Sequence, residues 1–365
     1  MTETRKKSEV LMVGTAKGAF LFTSRDGRRT WETSGPHFEG TPVFHLAYDS
    51  RNKMFLAGVN SYQWGPSIAR SFDSGKSWRR SKSQPKFPKS SGMSVKNIWH
   101  IEPGTEDEPD TIYAGVDPAV LFKSEDKGES WTVNRGLLNH ETRKKWNPGA
   151  GGLCLHTILI DPKDPQRMHV GISAVGTMFT EDGGESWKFQ NKHVQALFLP
   201  NKYPVFGQCV HKIVRHPERP GVLYQQNHCG QYRSDNNGED WIEIQNNLPS
   251  RFGFPIAVDS NDPRRVYVSP LEGDGNRVSP NGRFAVWSSD NSGKEWHENS
   301  KGLPHPPSYF NVLREGMTSD REDPCGLYIG TTTGQLFFSR NQGLEWSKIT
   351  DQLPPILSVS VAAVS

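Results

Sequence analysis

Four cysteines in 365 residues are too few to staple a chain of this length. Any role for Cys154, Cys209, Cys229 or Cys325 therefore rests on packing or thiol chemistry. The opening MTETRKKSEV leads into no uninterrupted apolar core, so neither a signal peptide nor a membrane helix is expected and the chain reads as cytoplasmic. Excess charge of one sign is missing too. Lys and Arg number 43 against 40 Asp and Glu, a net charge of +3, without a long like-charge block. Nucleic acid and anionic membranes are not indicated as partners. Residues 1–8 read as a disordered tail ahead of a single domain over residues 9–365.

Turn formers and tryptophan are abundant. The chain holds 35 Gly, 26 Pro and 11 Trp, a composition suited to many short strands joined by tight turns. Aligned on its tryptophans it shows Ser/Thr-x-Asp-x-Gly-x-x-Trp: SFDSGKSW at 71–78, SEDKGESW at 124–131 and TEDGGESW at 180–187. SRDGRRTW at 24–31 moves its glycine one place earlier. SDNNGEDW at 234–241, SDNSGKEW at 289–296 and SRNQGLEW at 339–346 put Asn236, Asn291 and Asn341 in the aspartate's place. The Asp or Asn caps a tight hairpin and the glycine supplies a left-handed residue, so Asp26, Asp73, Asp126 and Asp182 are structural.

The seven tryptophans lie 47 to 56 residues apart, the size of a four-stranded propeller blade. The first repeat has no inner strand, whereas ILSVSVAAVS at the C-terminus is an apolar strand without a repeat of its own. The expected fold is all-β: a seven-bladed β-propeller of four-stranded blades, closed by the C-terminal strand completing blade one. These boxes resemble the Asp-box (BNR) repeat superfamily along essentially the whole chain. That superfamily includes sialidases, xyloglucan hydrolases, sortilin-type receptors and a photosystem assembly factor. The Arg-Ile-Pro motif that precedes the first box of sialidases is absent, the stretch here being VGTAKGAFLFT, so a true sialidase is disfavoured. Fold does not fix function in propellers.

Box hairpins occupy one face of such a ring. The loops entering the inner strands, and the hairpins between second and third strands, occupy the other, here termed the top. Long top-face segments at 135–153, 190–208 and 270–283 make a central top pocket the expected site. Cys154-Leu155-His156 and Cys209-Val210-His211 repeat Cys-x-His in adjacent inner strands, and His228 and Cys229 follow in the next top hairpin. Cys and His ligate Zn, Cu or Fe, so a transition-metal site is expected from His156, His211, His228, Cys154 and Cys209. His45 and His100 also lie in inner strands, but off register with His156. In architecture the chain also resembles seven-bladed propellers with His-ligated axial metals, such as carotenoid-cleaving oxygenases and nitrous oxide reductase, although no motif of theirs is present.

Three functional readings follow. The first is a metalloenzyme acting on a small anionic or aromatic molecule, with Arg277 and Arg314 as anion clamps. Solvation or an ion pair with Glu315 is the competing account of Arg314. The second is a glycoside hydrolase-like enzyme using Asp117 with Glu272 or Asp274. The third is a non-catalytic interaction platform. Tyr62, Trp64, Trp146, Tyr203, Phe252 and Phe254 are top-face aromatics that could stack on a ligand or serve packing.

Overall fold

Each repeat closes its hairpin with a shared core of hydrogen bonds through its Ser/Thr hydroxyl and its Asp or Asn oxygen. In the computed structural model, which describes residues 8–364, Ser71 Oγ donates to Asp73 Oδ1 (2.8 Å) and accepts from the Gly75 N–H (2.9 Å). Asp73 Oδ1 accepts from the Ser77 N–H (2.9 Å), and Oδ2 takes the Ser77 hydroxyl at 2.6 Å. These bonds, that of the Ser77 hydroxyl first, hold the Asp73 carboxyl down at about 2. In the asparagine boxes the amide oxygen keeps the backbone bond, as from Glu345 N–H to Asn341 Oδ1 at 3.0 Å. The hydroxyl partner is gone: Asp240, Glu295 and Glu345 stand where Ser or Thr stands in the aspartate boxes. A carboxylate there would face a second carboxylate, so the neutral amide matches its neighbour.

Two successive residues of each box are left-handed, as in Ser74 (φ 60) and Gly75 (φ 84). The first box satisfies the same requirement with Gly27 (φ 73) followed by Arg28 (φ 64), which accounts for its displaced glycine. Arg28 is used elsewhere. Its Nη1 lies 2.8 Å from Asp320 Oδ2, and both side chains are buried. Asp320 Oδ2 also accepts from the Tyr328 hydroxyl at 2.9 Å.

The described residues form seven four-stranded antiparallel sheets. The innermost strands are Ile356–Val364 for blade 1, Val43–Asp49 for blade 2, Asn97–Pro103 for blade 3 and Leu155–Asp161 for blade 4. Val210–Arg215, Gly253–Val258 and Met317–Ser319 serve blades 5 to 7. Closure is as expected: the C-terminal strand pairs with Ser8–Thr15, Leu11 opposite Val361 and Val13 opposite Val359. Of the expected tail, residues 1–7 lie outside the described residues, and Ser8 begins the first strand.

Box tryptophans pin neighbouring blades together. Trp241 and Trp296 are buried, and their indole N–H groups donate to Gln190 O (2.9 Å) and Ile244 O (2.8 Å) of the preceding blades. The long 135–153 segment is packed rather than free. It contains the short helix Arg135–Leu138, capped by Asn134 Oδ1 from the Leu137 N–H at 2.9 Å, and it buries Leu137 and Trp146. Among the described residues no helix is long and apolar enough to cross a membrane.

The Arg28–Asp320 pair spans blades 1 and 7, and removing one partner strands a buried charge. Asp320→Ala is expected to lower unfolding free energy by about 3–5 kcal/mol. Glu32→Ala, which breaks an exposed pair with Arg25, should cost under about 1 kcal/mol. Denaturant unfolding of the two variants checks this.

Candidate functional site

The inner strands of blades 2 to 5 share a device that decides what faces the axis. Each carries a one-residue bulge near its top end, with Phe44, Trp99, His156 and His211 as the extra residues. A bulge breaks the two-residue alternation of side chains. His45, His100, Thr157 and Lys212, one place further on, therefore line the axial cavity, whereas His156 and His211 do not.

Glu315, on the segment entering the blade 7 inner strand, reaches into this axial ring. It forms an ion pair with Lys212. His100 Nδ1 lies 3.5 Å from Glu315 Oε1, and its Nε2 lies 3.3 Å from Glu102 Oε2. His45 Nε2 stands 3.9 Å from Glu315 Oε2, while its Nδ1 accepts the Ile101 N–H at 3.2 Å. Burial alone would raise the Glu315 pKa, but Lys212 and His100 hold it well below the usual carboxylate range. Burial opposes charge on His100 as well, yet its two carboxylate partners outweigh that and its pKa is raised. His45 has no comparable compensation, and burial keeps it neutral. Below this cluster an axial cavity of about 460 Å³ runs along the lower halves of the inner strands to Pro217 and Arg321, on the box side.

Above the cluster, Arg314 leaves blade 7 and reaches blade 4. Its Nη1 donates to Cys154 Sγ (3.1 Å) and Ser173 Oγ (3.3 Å), and its guanidinium lies 5.3 Å over the Trp99 ring. The suggested pairing of Arg314 with Glu315 is thus replaced by two divergent contacts. Adjacent residues on an extended segment point to opposite sides, so one caps the axis and the other enters it.

The expected Cys/His group divides, and His45 and His100 fall in a separate group. Cys209, His211 and His228 place one ligand atom each within 4.8 Å of one another, and His45 and His100 do the same with Glu315. His156 belongs to neither group: its Nε2 meets Val210 O at 3.0 Å and its Nδ1 meets Thr157 Oγ1 at 3.0 Å. Cys154 is engaged by Ser173 and Arg314. The physical reason is prior engagement: both ring nitrogens of His156 and the Cys154 sulfur already have hydrogen-bond partners. Lys212 and Glu102 escaped the sequence reading, and Glu315 entered it only as a partner suggested for Arg314. A lysine in the interior of the inner strand Val210–Arg215, VHKIVR, was the available signal.

The carboxylates sit apart around the ring. Asp117 lies in the second hairpin of blade 3, while Glu272 and Asp274 lie in the corresponding loop of blade 6, three blades away. Burial raises the Asp117 pKa. Glu272 accepts from Asn276 Nδ2 (2.5 Å) and the Asn281 N–H (3.2 Å), and Asp274 Oδ2 lies 3.5 Å from His228 Nε2. Arg277 stacks 5.3 Å over the Phe254 ring. Of the expected aromatics, Trp146, Phe252 and Phe254 are buried, whereas Tyr62, Trp64 and Tyr203 are exposed. Among the described residues the most exposed rings are Tyr62 (93%), Trp64 (71%), Phe72, Phe198, Tyr203 and Tyr309. All but Phe72 belong to top-face loops.

No family model matches the chain. It is 24% identical over 222 residues to an oligoxyloglucan-reducing end-specific xyloglucanase of Emericella nidulans, covering 53% of this chain and 26% of that protein. The structure is similar to the GH74 enzyme of Niastella koreensis, with a TM-score of 0.61 and 15% identity over 93% of this chain and 52% of that one. It is also similar to YCF48 bound to D1 peptide, with a TM-score of 0.54 and 15% identity over 96% of this chain and 94% of that one. The chain thus spans about a quarter of the curated relative and half of the GH74 enzyme.

Two outcomes follow from the buried charges. Glu315→Leu strands Lys212 and should cost about 3–5 kcal/mol, whereas adding Lys212→Met should recover much of that loss, as a double-mutant cycle by denaturant unfolding would read. Burial holds His156 well below 6.5 and pushes His169 and His211 down to about 3. In the unfolded chain they titrate near ~6.5, so unfolding takes up protons below that pH and stability falls as pH drops from about 6.5 towards the folded values of about 3. His100 has the opposite sign, adding stability that is lost as pH rises through its folded pKa, but it is outnumbered. His169→Gln should reduce the slope below pH ~6.5 by about 1.4 kcal/mol per pH unit.

Proposed function

We propose that the chain is a glycoside hydrolase-like protein that takes an oligosaccharide across its top face. Tyr62 and Trp64 serve as stacking platforms and Asp117 as the proton donor. The observation that carries this reading is the one-sided exposure of aromatic rings: Tyr62, Trp64, Phe198, Tyr203 and Tyr309 all project from top-face loops. Flat rings with a polar edge suit the C–H faces and hydroxyls of sugars. Asp117 fits the acid role because burial raises its pKa, favouring the protonated form a general acid needs. The resemblance to a xyloglucanase and to a GH74 enzyme supports a saccharide of the xyloglucan class. Seven copies of one box hydrogen-bond pattern support placement in the Asp-box superfamily.

Glu272 and Asp274 are the top-face candidates for a second carboxylate, on a blade remote from Asp117, so binding and hydrolysis are separate readouts. Titration with xyloglucan-derived oligosaccharides, followed by tryptophan fluorescence, should show saturable binding. Trp64→Ala should weaken it by about tenfold, roughly 1.4 kcal/mol, with the unfolding midpoint unchanged. Asp117→Asn should keep binding and abolish release of reducing ends. Absence of binding at millimolar oligosaccharide sinks the proposal. Capture of an extended peptide on the same rings would instead favour an interaction platform, a reading supported by the match to the YCF48 chain along nearly its whole length.

A further inference from the structure

The top mouth of blades 5 and 6 holds a group of side chains that the saccharide reading does not use. Cys209 precedes the blade 5 inner strand, His211 is the bulged residue of that strand, and His228 stands in the turn after Leu223–Asn227 of the same blade. One ligand atom from each lies within 4.8 Å of the others. Ligands around a tetrahedral ion with bonds of about 2.0–2.3 Å lie roughly 3.5 Å apart, so rotation of the partly exposed His228 and Cys209 side chains suffices to close the gap. We infer that Cys209, His211 and His228 form a three-ligand site for a transition-metal ion of the zinc type, with Asp274 orienting His228.

The hydrogen bonds around the group prepare it for this. His211 Nδ1 faces the Gly253 carbonyl at 2.6 Å. That partner can only accept, so Nδ1 carries the proton and Nε2 keeps its lone pair. Asp274 Oδ2, 3.5 Å from His228 Nε2, offers that ring the carboxylate partner common behind metal-ligating histidines. Phe252 packs 5.3 Å from the His211 ring and 5.1 Å from that of His228, while Phe254 and Phe198 complete an apolar wall. His211 is buried but Cys209 and His228 are only partly so. The fourth position of a tetrahedral ion would therefore face the top-face solvent, where a water or a substrate oxygen can enter.

The second group, His45, His100 and Glu315, is equally compact and does not qualify. Lys212 already supplies the cation to Glu315. His45 Nδ1 is spent accepting the Ile101 N–H, so Nε2 carries the proton and neither nitrogen is free. His100 stands between two carboxylates, Glu102 Oε2 at 3.3 Å from Nε2 and Glu315 Oε1 at 3.5 Å from Nδ1, so an ion would compete with charged partners at both nitrogens. An imported divalent cation would have to displace an ammonium and a backbone hydrogen bond.

The test uses the full chain, stripped by chelator and titrated with Co²⁺, without any saccharide. Wild type should bind one Co²⁺ per chain with a thiolate-to-cobalt charge-transfer band that Zn²⁺ bleaches. Cys209→Ser should lose the band and Cys154→Ser should retain it, because Cys154 lies outside the group. His228→Ala, at a partly exposed position, should weaken Co²⁺ binding by at least about tenfold. Circular dichroism and unfolding midpoints establish that each variant is folded, and the His228→Ala result decides should Cys209→Ser not fold. No charge-transfer band in wild type, a band that survives in folded Cys209→Ser, or unchanged affinity in His228→Ala overturns the inference.

Discussion

The pairing of Ile356–Val364 with Ser8–Thr15 closes the ring, and every other feature depends on that closure. Without it blade 1 has no inner strand and presents an unpaired edge to the axis. The buried Arg28–Asp320 pair reinforces the same seam from the box face, and the Val359 N–H donates to Glu315 O at 2.7 Å on the axial side. The chain ends and the residue that enters the axis are therefore held by one set of bonds. The conformation of the segment carrying Arg314 and Glu315 is a consequence of ring closure.

That segment divides the axis into two environments. Glu315 joins Lys212, His45 and His100 in a buried, charge-paired cluster that lines an axial cavity reaching to the box side. Arg314 points the other way and spans to Cys154 and Ser173 across the ring. In a low-dielectric channel such a network is stable only when its charges are matched.

The top face itself is uneven. Blade 2 offers the rings of Tyr62 and Trp64 to solvent, while blades 5 and 6 bury Phe252 and Phe254 around His211 and His228. Asp117 lies on blade 3, away from both Glu272 and Asp274. Exposed rings suit ligand stacking, whereas an apolar wall around neutral imidazoles suits ion ligation. The two proposed activities of this face therefore centre on different residues and overlap only at Asp274 and Phe198.

The ring was legible in the sequence because its determinants are local. A box needs a capping Asp or Asn, two left-handed residues and a tryptophan within eight positions, and the spacing of seven such boxes sets the blade length. The apolar C-terminal strand showed where the ring closes for the same reason. The side chains at the axis were legible only as residue types. One inserted residue in each of four inner strands exchanges the facing of everything beside it, turning His45 and His100 inward and His156 away. Nothing in the Cys-x-His spacing marks that bulge, because it is fixed by the register between strands. Likewise Glu315 meets Lys212 across 103 residues of sequence, a partnership that exists only once seven blades have been bent into a circle.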